Sequence, residues 1–314
     1  MSLLLAAVAI TGCGVDEDDR AHPSDTRPTT LALDFQPNAV HAGIYTATAE
    51  QLDRERGLEL TVRAPSASTD SLKLLAAGRA DLAVVDIHDL GLARERGADV
   101  VGVGALVQRP LAAVIAAPEV RRPRDLEGRR VGVTGLPSDD AVLTAVVAAD
   151  GGDPDSVRRT TIGFSAVPSL VAGRVDAVVT FWNAEGVALR ERGVATREFR
   201  VDEFRAPRYP ELVLATTRET LRERPALVRD TLDVLTEGTR RALADLPTAA
   251  DRIAQASDGD PALVRAQLEA VAPALKPPLE LNRGALERWA RFDARFGILQ
   301  GPPDVDEAFA LGLR

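Results

Sequence analysis

Side chains that could hold a small polar molecule recur directly after the short apolar segments of this sequence. Rings can stack on a flat heterocycle, amides can pair a donor with an acceptor, and carboxylates can bind an amine. The candidates for ligand contact are Asp34, Phe35, Asn38, His41, Ser68, Thr69, Asp86, His88, Gln108, Ser138, Trp182, Asn183 and Glu185. A site for a small anion would favour positive charge, so the carboxylates favour an amine-bearing ring.

These candidates fall at predicted strand ends and helix starts, where ligands of α/β sheets bind. Ser66 and Asp139 hold neighbouring positions. For Asp34, Asn38 and Ser138 a second interpretation is open, since Asp, Asn and Ser also form turns and cap helices.

Motifs that catalysis requires are missing from the sequence. It contains no G-x-x-x-x-G-K-[ST] phosphate loop, and GFSAV around Ser165 lacks the closing glycine of a nucleophile elbow. GVGALV falls short of the dinucleotide fingerprint. A metal centre would have to combine His41 and His88 with a carboxylate, and we do not expect one. The sequence therefore predicts binding without turnover, with no catalytic residue, cofactor or metal.

The chain length and the net charge further restrict the class of protein. A chain of 314 residues exceeds what one compact core usually holds, so we expect two lobes. The formal net charge of −9 argues against a nucleic-acid partner, because neutralising phosphates requires a basic face. We expect a monomer.

The single cysteine, Cys13, follows the apolar run MSLLLAAVAITG. Residues 10–13 resemble a bacterial lipobox, in which the cysteine is lipidated, and the run is too short to span a bilayer. This resemblance implies a lipid anchor at the extracytoplasmic side of the membrane, with residues 1–30 as signal, lipobox and disordered tether. The lack of Lys or Arg before the run predicts a start farther upstream. A buried cysteine in an N-terminal helix is the alternative.

From Leu31 onward, short apolar strands alternate with amphipathic helices. The alternation predicts an α/β protein with mostly parallel sheets and helices on both faces. The pattern restarts after Gln108, which predicts a first lobe at 31–109, a second at 110–208, and a return to the first lobe with C-terminal helices at 209–314. AAGRADLAVV and VAGRVDAVVT echo one another, since in each a glycine ends a helix before a buried strand. We expect Trp289 to pack within a terminal helix.

The segment LALDFQPNAVHAGIYTA is similar to the opening of thiamine-pyrimidine-precursor-binding proteins, where a strand ending Asp-aromatic-x-Pro-Asn leads into a helix. GRADLAVVD, DLEGRRVGVTG, LVAGRVDAVVTFWNAEG and PELVLATTRETL extend the likeness over nearly the whole chain from Leu31. Such proteins stand with the nitrate, sulfonate and taurine receptors and resemble type II periplasmic binding proteins. The resemblance implies the solute-binding subunit of an ABC importer, a clamp that closes by a hinge and docks on a permease driven by an ATPase.

Within this resemblance, Glu185 of FWNAEG looks like a family carboxylate that engages the ring amine, and Phe35 stands where a tryptophan is usual. The implied ligand is a thiamine pyrimidine precursor, with a flavin or a sulfonate- or nitrate-type anion as alternatives.

A second relative is the fungal enzyme that makes the thiamine pyrimidine from its own histidine and pyridoxal phosphate. DIHDLGLARERG, with His88, resembles the segment that carries the consumed histidine. Val84 stands where that enzyme would hold its cofactor lysine, so the Schiff base cannot form.

Overall fold

The computed structural model describes residues 26–66 and 70–313, so Cys13, Ser68 and Thr69 lie outside the described residues. The first of its two sheets combines early strands with one late strand. In spatial order the strands are β2 (Leu58–Arg63), β1 (Arg27–Ala32), β3 (Leu82–Asp86), β10 (Leu212–Thr217) and β4 (Val100–Ala105). β1 pairs in parallel with β2 and β3, whereas β10 runs antiparallel to β3 and β4.

The second sheet is built from the middle of the chain and repeats this arrangement. In spatial order the strands are β7 (Arg158–Thr161), β6 (Arg130–Val133), β8 (Ala177–Phe181), β5 (Ala112–Ala116) and β9 (Arg197–Arg200). β6 pairs in parallel with β7 and β8, and β5 runs antiparallel to β8 and β9. We call the unit around the first sheet lobe 1 and the unit around the second sheet lobe 2.

Helices cover both sheets, and the segment after β10 is mainly helical. The α-helices of the described residues are α1 (Ala42–Ala49), α2 (Leu52–Glu55), α3 (Asp70–Ala76), α4 (Ile87–Glu95), α5 (Pro137–Ala149), α6 (Ala166–Val171), α7 (Val187–Glu191), α8 (Arg218–Glu223), α9 (Pro225–Ala244), α10 (Leu246–Ser257), α11 (Pro261–Val271), α12 (Arg283–Arg295) and α13 (Val305–Ala308). The cover explains why β3 and β5 are continuous apolar runs, since strands buried on both faces have no polar side. Trp289 is fully buried in α12, so its predicted packing role is confirmed.

The internal echo marks equivalent places in the two lobes. Gly78 and Gly173 have φ values of 64° and 63°, in the left-handed region that glycine favours. The turn after each glycine supplies Asp81 or Asp176, whose carboxylate accepts a backbone N–H of β1 (2.7 Å) or β6 (2.9 Å). The repeated turn therefore fastens a central strand to its parallel neighbour in both lobes.

Two crossings, residues 106–111 and 201–211, join the sheets and form the hinge region. The Leu111 N–H donates to Glu211 Oε2 at 3.1 Å, and Arg109 pairs with Asp202 at 2.5 Å. Each bond joins one crossing to the other, so the two segments are held side by side.

The predicted fold class is confirmed, with local differences. Both sheets are mixed, because the first strand after each crossing between the lobes, β5 or β10, runs antiparallel to its neighbours. β1 begins at Arg27, inside the segment predicted as tether, and ends before Asp34 and Phe35, which lie in the following loop. The helical segment after Asn38 is divided into α1 and α2 at Gln51, whose φ is 58°. Among the described helices, none combines the length and apolar character needed to cross a bilayer.

Candidate functional site

Three contacts join the lobes beyond the carboxyl ends of their parallel strands. The rings of Phe35 after β1 and Phe164 after β7 meet edge to face, with centroids 4.3 Å apart. Ser138 Oγ at the start of α5 donates to Asp89 Oδ2 in α4 at 3.0 Å. Gln267 Nε2 in α11 donates to a carbonyl of the turn after β8 at 3.0 Å. The region between the lobes where these contacts lie, here called the cleft, is the candidate site.

Phe164 was not among the sequence candidates, although it has the same signal as Phe35. Each phenylalanine follows a short strand by three residues, Phe35 after Ala32 and Phe164 after Thr161. Both side chains are half-buried, so part of each ring remains accessible. Rings that face one another from two lobes can sandwich a flat ligand.

Asp34, Asn38 and His41 form one hydrogen-bonded unit at the lobe 1 side of the cleft. Asn38 caps the short turn Ala39–His41, accepting the Val40 N–H at 3.1 Å with its amide oxygen. The Asn38 N–H donates to His41 Nδ1 (3.2 Å), and His41 Nε2 lies 2.8 Å from Asp34 Oδ1. The His41 ring is fully buried, whereas the Asp34 side chain is 14% exposed. Of the three side chains, the structure leaves Asp34 as the charged group within reach of a ligand.

Trp182, Asn183 and Glu185 lie in a single turn of π-helix, Trp182–Gly186, directly after β8. Such turns are rare and often mark functional sites. The Trp182 indole N–H donates to Pro110 O at 3.1 Å, and the Arg200 guanidinium lies 4.4 Å from the ring centre. Trp182 is therefore packed against the hinge and offers little open ring to a ligand.

The other two side chains of this turn differ in their hydrogen bonding. Asn183 is fully buried, and within the described part of the chain neither its amide oxygen nor its amide nitrogen has a hydrogen-bond partner. A buried amide without partners is costly, so a bound ligand or water at this position would be stabilising. Glu185 accepts the Phe181 N–H at 3.4 Å, and burial raises the pKa of its carboxyl.

Asp86 and His88 belong to the start of α4. Asp86 Oδ1 accepts the His88 N–H at 2.8 Å, which caps this helix, and burial raises the pKa of the Asp86 carboxyl well above its usual value. The His88 ring is fully buried between Asp293 Oδ1, 2.7 Å from Nδ1, and the Tyr209 hydroxyl, 3.1 Å from Nε2. Both ring nitrogens thus have partners inside the protein, away from a ligand.

Electrostatics around His88 favour its charged form. Burial opposes the charge, but the Asp293 carboxylate, with Asp86 and Glu211 nearby, outweighs burial and raises the pKa of His88 to about 10. Burial raises the pKa of Glu211 to about 7. In residues 26–66 and 70–313, the acidic side chains do not gather in a group that could hold a metal ion. The negative charge of the acidic residues near the hinge is therefore offset by His88. Protons that Asp86 and Glu211 retain reduce this charge further.

The remaining candidates have local partners. Gln108 Nε2 donates to Pro277 O (2.9 Å) and Glu280 O (3.0 Å), which ties the hinge to the segment between α11 and α12. Asp139 Oδ2 accepts the Thr134 N–H at 2.6 Å, and burial raises the pKa of Asp139 to about 7. Ser66 bonds to Asp70 at the start of α3.

Comparison with known proteins identifies a family that this chain matches and solved structures that share its fold. The model of the family described as NMT1/THI5 like matches residues 38–250. The formylaminopyrimidine-binding protein of Halalkalibacterium halodurans is 35% identical over 228 residues, covering 71% of this chain and 68% of that protein. The 4-amino-5-hydroxymethyl-2-methylpyrimidine phosphate synthase of Legionella pneumophila is 24% identical over 56% of each chain.

Solved structures resemble the whole described fold. The periplasmic aliphatic sulphonate binding protein of Escherichia coli superposes with a TM-score of 0.71 at 16% identity, covering 90% of this chain and 91% of its own. At that identity the likeness shows the shared periplasmic binding protein fold.

Proposed function

This chain belongs to the NMT1/THI5-like family, and from that premise we propose that it is the solute-binding subunit of an ABC importer, which captures a thiamine pyrimidine precursor between its lobes. The observation that carries this proposal is the ring pair Phe35–Phe164, one ring from each lobe, beside the carboxylate of Asp34. An aminopyrimidine is flat enough to enter between the rings and carries an amine for the carboxylate.

Hinge closure supplies the affinity in this proposal. The edge-to-face contact at 4.3 Å leaves no room for a third ring, so the lobes must part to admit the ligand. Closing again removes water from both faces of the heterocycle and strengthens its polar contacts.

The cleft charges favour an amine over an anion. Asp34 would repel a sulfonate or nitrate, and the two arginines next to Trp182, Arg109 and Arg200, are paired with Asp202 and Glu198. The sulfonate-type ligand remains the alternative because solved structures of sulfonate receptors share the fold, and a flavin is a second alternative.

Turnover is not part of the proposed function. The relatives include bacterial and fungal pyrimidine phosphate synthases, and the segment with His88 resembles the one that carries the consumed histidine of the fungal enzyme. In this chain His88 is buried between Asp293 and Tyr209, and Val84, at the position of the cofactor lysine, is buried in β3. These positions support a receptor, because the fungal-type chemistry needs a lysine amine and an accessible imidazole.

Native mass spectrometry of the full chain with a panel of pyrimidines, flavins and sulfonates tests this proposal. We expect one equivalent of 4-amino-5-hydroxymethyl-2-methylpyrimidine or of its formylamino analogue to bind. A parallel incubation with pyridoxal phosphate and iron should give neither an imine absorbance band nor a pyrimidine product. Binding confined to sulfonates, or formation of that product, would overturn it.

The proposal places the protein at the extracytoplasmic face of the membrane, anchored through Cys13 and acting as a monomer on a permease and ATPase supplied by other chains. The lipobox-like residues 10–13 support the anchor. In cells that express the protein, Cys13→Ala should move it from the membrane fraction to the soluble fraction. An unchanged distribution would refute the anchor while leaving the ligand proposal standing.

A further inference from the structure

The hydrogen bonds of His41 fix which ring nitrogen carries the proton. The Asn38 N–H can only donate, so His41 Nδ1, 3.2 Å away, must accept and carry no hydrogen. The hydrogen of the neutral ring is then on Nε2, which lies 2.8 Å from Asp34 Oδ1 and donates to it. Because a charged imidazolium would present a hydrogen to the Asn38 N–H, this geometry selects the neutral ring.

A neutral partner has a consequence for Asp34. An ion pair would cancel the charge of the carboxylate, whereas a neutral donor orients one oxygen and leaves the negative charge in place. The Asp34 side chain is 14% exposed, while the His41 side chain is fully buried. The carboxylate can therefore contact a ligand and the imidazole cannot.

We propose that His41 is a positioning residue that acts on the ligand through Asp34: the Asn38 N–H holds the imidazole as an Nε2–H donor, which aims a fully charged carboxylate at an N–H group of the ligand. This inference rests on the proposed receptor function, and it narrows the class of ligand to rings that donate a hydrogen bond. Held in this way, the carboxylate selects amine-bearing or cationic rings and rejects anions of the same shape.

Two substitutions separate the two hydrogen bonds of His41. In His41→Gln, the side-chain amide reaches about as far as Nε2 and can still donate to Asp34. In His41→Asn, the amide oxygen lies near the former Nδ1 and can still accept the Asn38 N–H, but nothing reaches Asp34. A role confined to capping the turn would make the asparagine variant the better one, and a role through Asp34 would make the glutamine variant the better one.

The experiment is calorimetry with 4-amino-5-hydroxymethyl-2-methylpyrimidine on wild type, His41→Gln, His41→Asn, Asp34→Asn and the double variant His41→Asn/Asp34→Asn. We expect His41→Asn to weaken binding roughly tenfold and His41→Gln by less than about threefold. Added to Asp34→Asn, the His41→Asn change should cause no further loss, because it acts through that carboxylate. Equal losses in the two His41 variants, or a loss that persists without the Asp34 charge, would overturn the proposal.

A ligand-free readout keeps this inference separate from the proposed function. The chain has three histidines, so nitrogen NMR of the imidazoles can be assigned with the His41 variants. We expect His41 to be neutral with its hydrogen on Nε2 at neutral pH. An Nδ1–H ring or an imidazolium would overturn the inference even if the pyrimidine binds. A wild-type protein with the expected ring that binds only sulfonates would overturn both the proposed function and the ligand role of Asp34.

Discussion

Two buried histidines of this protein each face an aspartate, yet the two pairs carry different charge. His41 lies 2.8 Å from Asp34 at the cleft, and His88 lies 2.7 Å from Asp293 behind the hinge. The second nitrogen of His41 accepts a backbone N–H, which keeps the ring neutral. The second nitrogen of His88 faces the Tyr209 hydroxyl, which can accept, and Asp293 and the nearby acids raise the pKa of this ring to about 10, which favours its charged form.

The two pairs also differ in the exposure of their aspartates. The Asp34 side chain is 14% exposed, whereas Asp293 is completely buried and also accepts a hydrogen bond from the Trp289 indole N–H. In the cleft pair, His41 and Asp34, the aspartate keeps a negative charge that a ligand can contact. In the hinge pair, His88 and Asp293, the charge of the aspartate is neutralised by the histidine. The two histidine–aspartate pairs thus differ both in the partner of the second ring nitrogen and in the exposure of the aspartate.

Removing one member of the hinge pair should have the largest effect. His88→Leu would leave Asp293 as a buried charge without its partner, so we expect a loss of about 3–5 kcal/mol in the free energy of unfolding. The matched His41→Asn change should cost only about 1 kcal/mol, since the exposed Asp34 can be hydrated. Urea denaturation of both variants checks this contrast, and equal losses would break the distinction.

The free energy of unfolding should decrease as the pH rises. The hinge pair should account for most of the decrease above about pH 7. The pKa of His88 is raised to about 10, so its stabilisation is complete below its unfolded value of about 6.5 and is lost as pH rises through about 10. Glu211 and Asp139, each with a pKa raised to about 7, keep protons that the unfolded chain releases above about pH 4, which lowers stability up to about pH 7.

Urea unfolding between about pH 5 and about pH 9 measures this dependence. We expect the free energy of unfolding to decrease across the range, and the decrease above pH 7 to be much smaller in His88→Gln. A stability that rises with pH above about pH 7 would contradict the raised pKa of His88.

Ring contact across the cleft should matter for ligand binding and little for the fold. Phe164→Ala removes the lobe 2 ring and should weaken pyrimidine binding about three- to tenfold. Phe296→Ala is the matched control, because Phe296 is half-buried like Phe164 and forms a ring pair with Phe292 at the end of α12, at 4.8 Å. Calorimetry should show unchanged affinity in the control, and equal effects in the two variants would argue against a sandwich.

The interlobe bond between Ser138 and Asp89 should have the smallest effect. Ser138→Ala removes a donor to Asp89, whose pKa burial raises to about 6. We expect closure to be slightly less favourable and affinity to fall about two- to fivefold. Ser156→Ala, which removes a similar bond to Asp153 within lobe 2, should leave affinity unchanged in the same titration. A Ser138 variant with wild-type affinity would show that this contact does not help to hold the closed form.

Much of the scaffold could be predicted because its signals are local. The glycines at 78 and 173, and the Arg-x-Asp turns after them, determine short-range geometry, and both occur in equivalent places as the echo predicts. The alternation of apolar strands and helices likewise predicts the α/β class, since side-chain burial follows the period of each element.

The site was harder to predict because its partners are distant in sequence. His88 reads as a cleft residue from its position after β3, but it turns inward because Asp293, 205 residues later, lies beside it. Phe164 was missed because a single aromatic residue after a strand is a weak signal until the opposite lobe supplies Phe35. Whether His41 is a ligand contact or a positioning residue depends on one backbone N–H, which composition and spacing do not specify.

The most direct test of the contrast between the pairs is calorimetry with 4-amino-5-hydroxymethyl-2-methylpyrimidine on wild type, Asp34→Asn and Asp293→Asn, each verified as folded by circular dichroism. A charge-assisted hydrogen bond is worth about 1.5–3 kcal/mol, so Asp34→Asn should weaken binding about ten- to a hundredfold. Asp293→Asn should bind as wild type does while unfolding at lower urea. Unchanged affinity in Asp34→Asn, or an equal loss in both variants, would contradict the assignment of ligand recognition to the cleft pair.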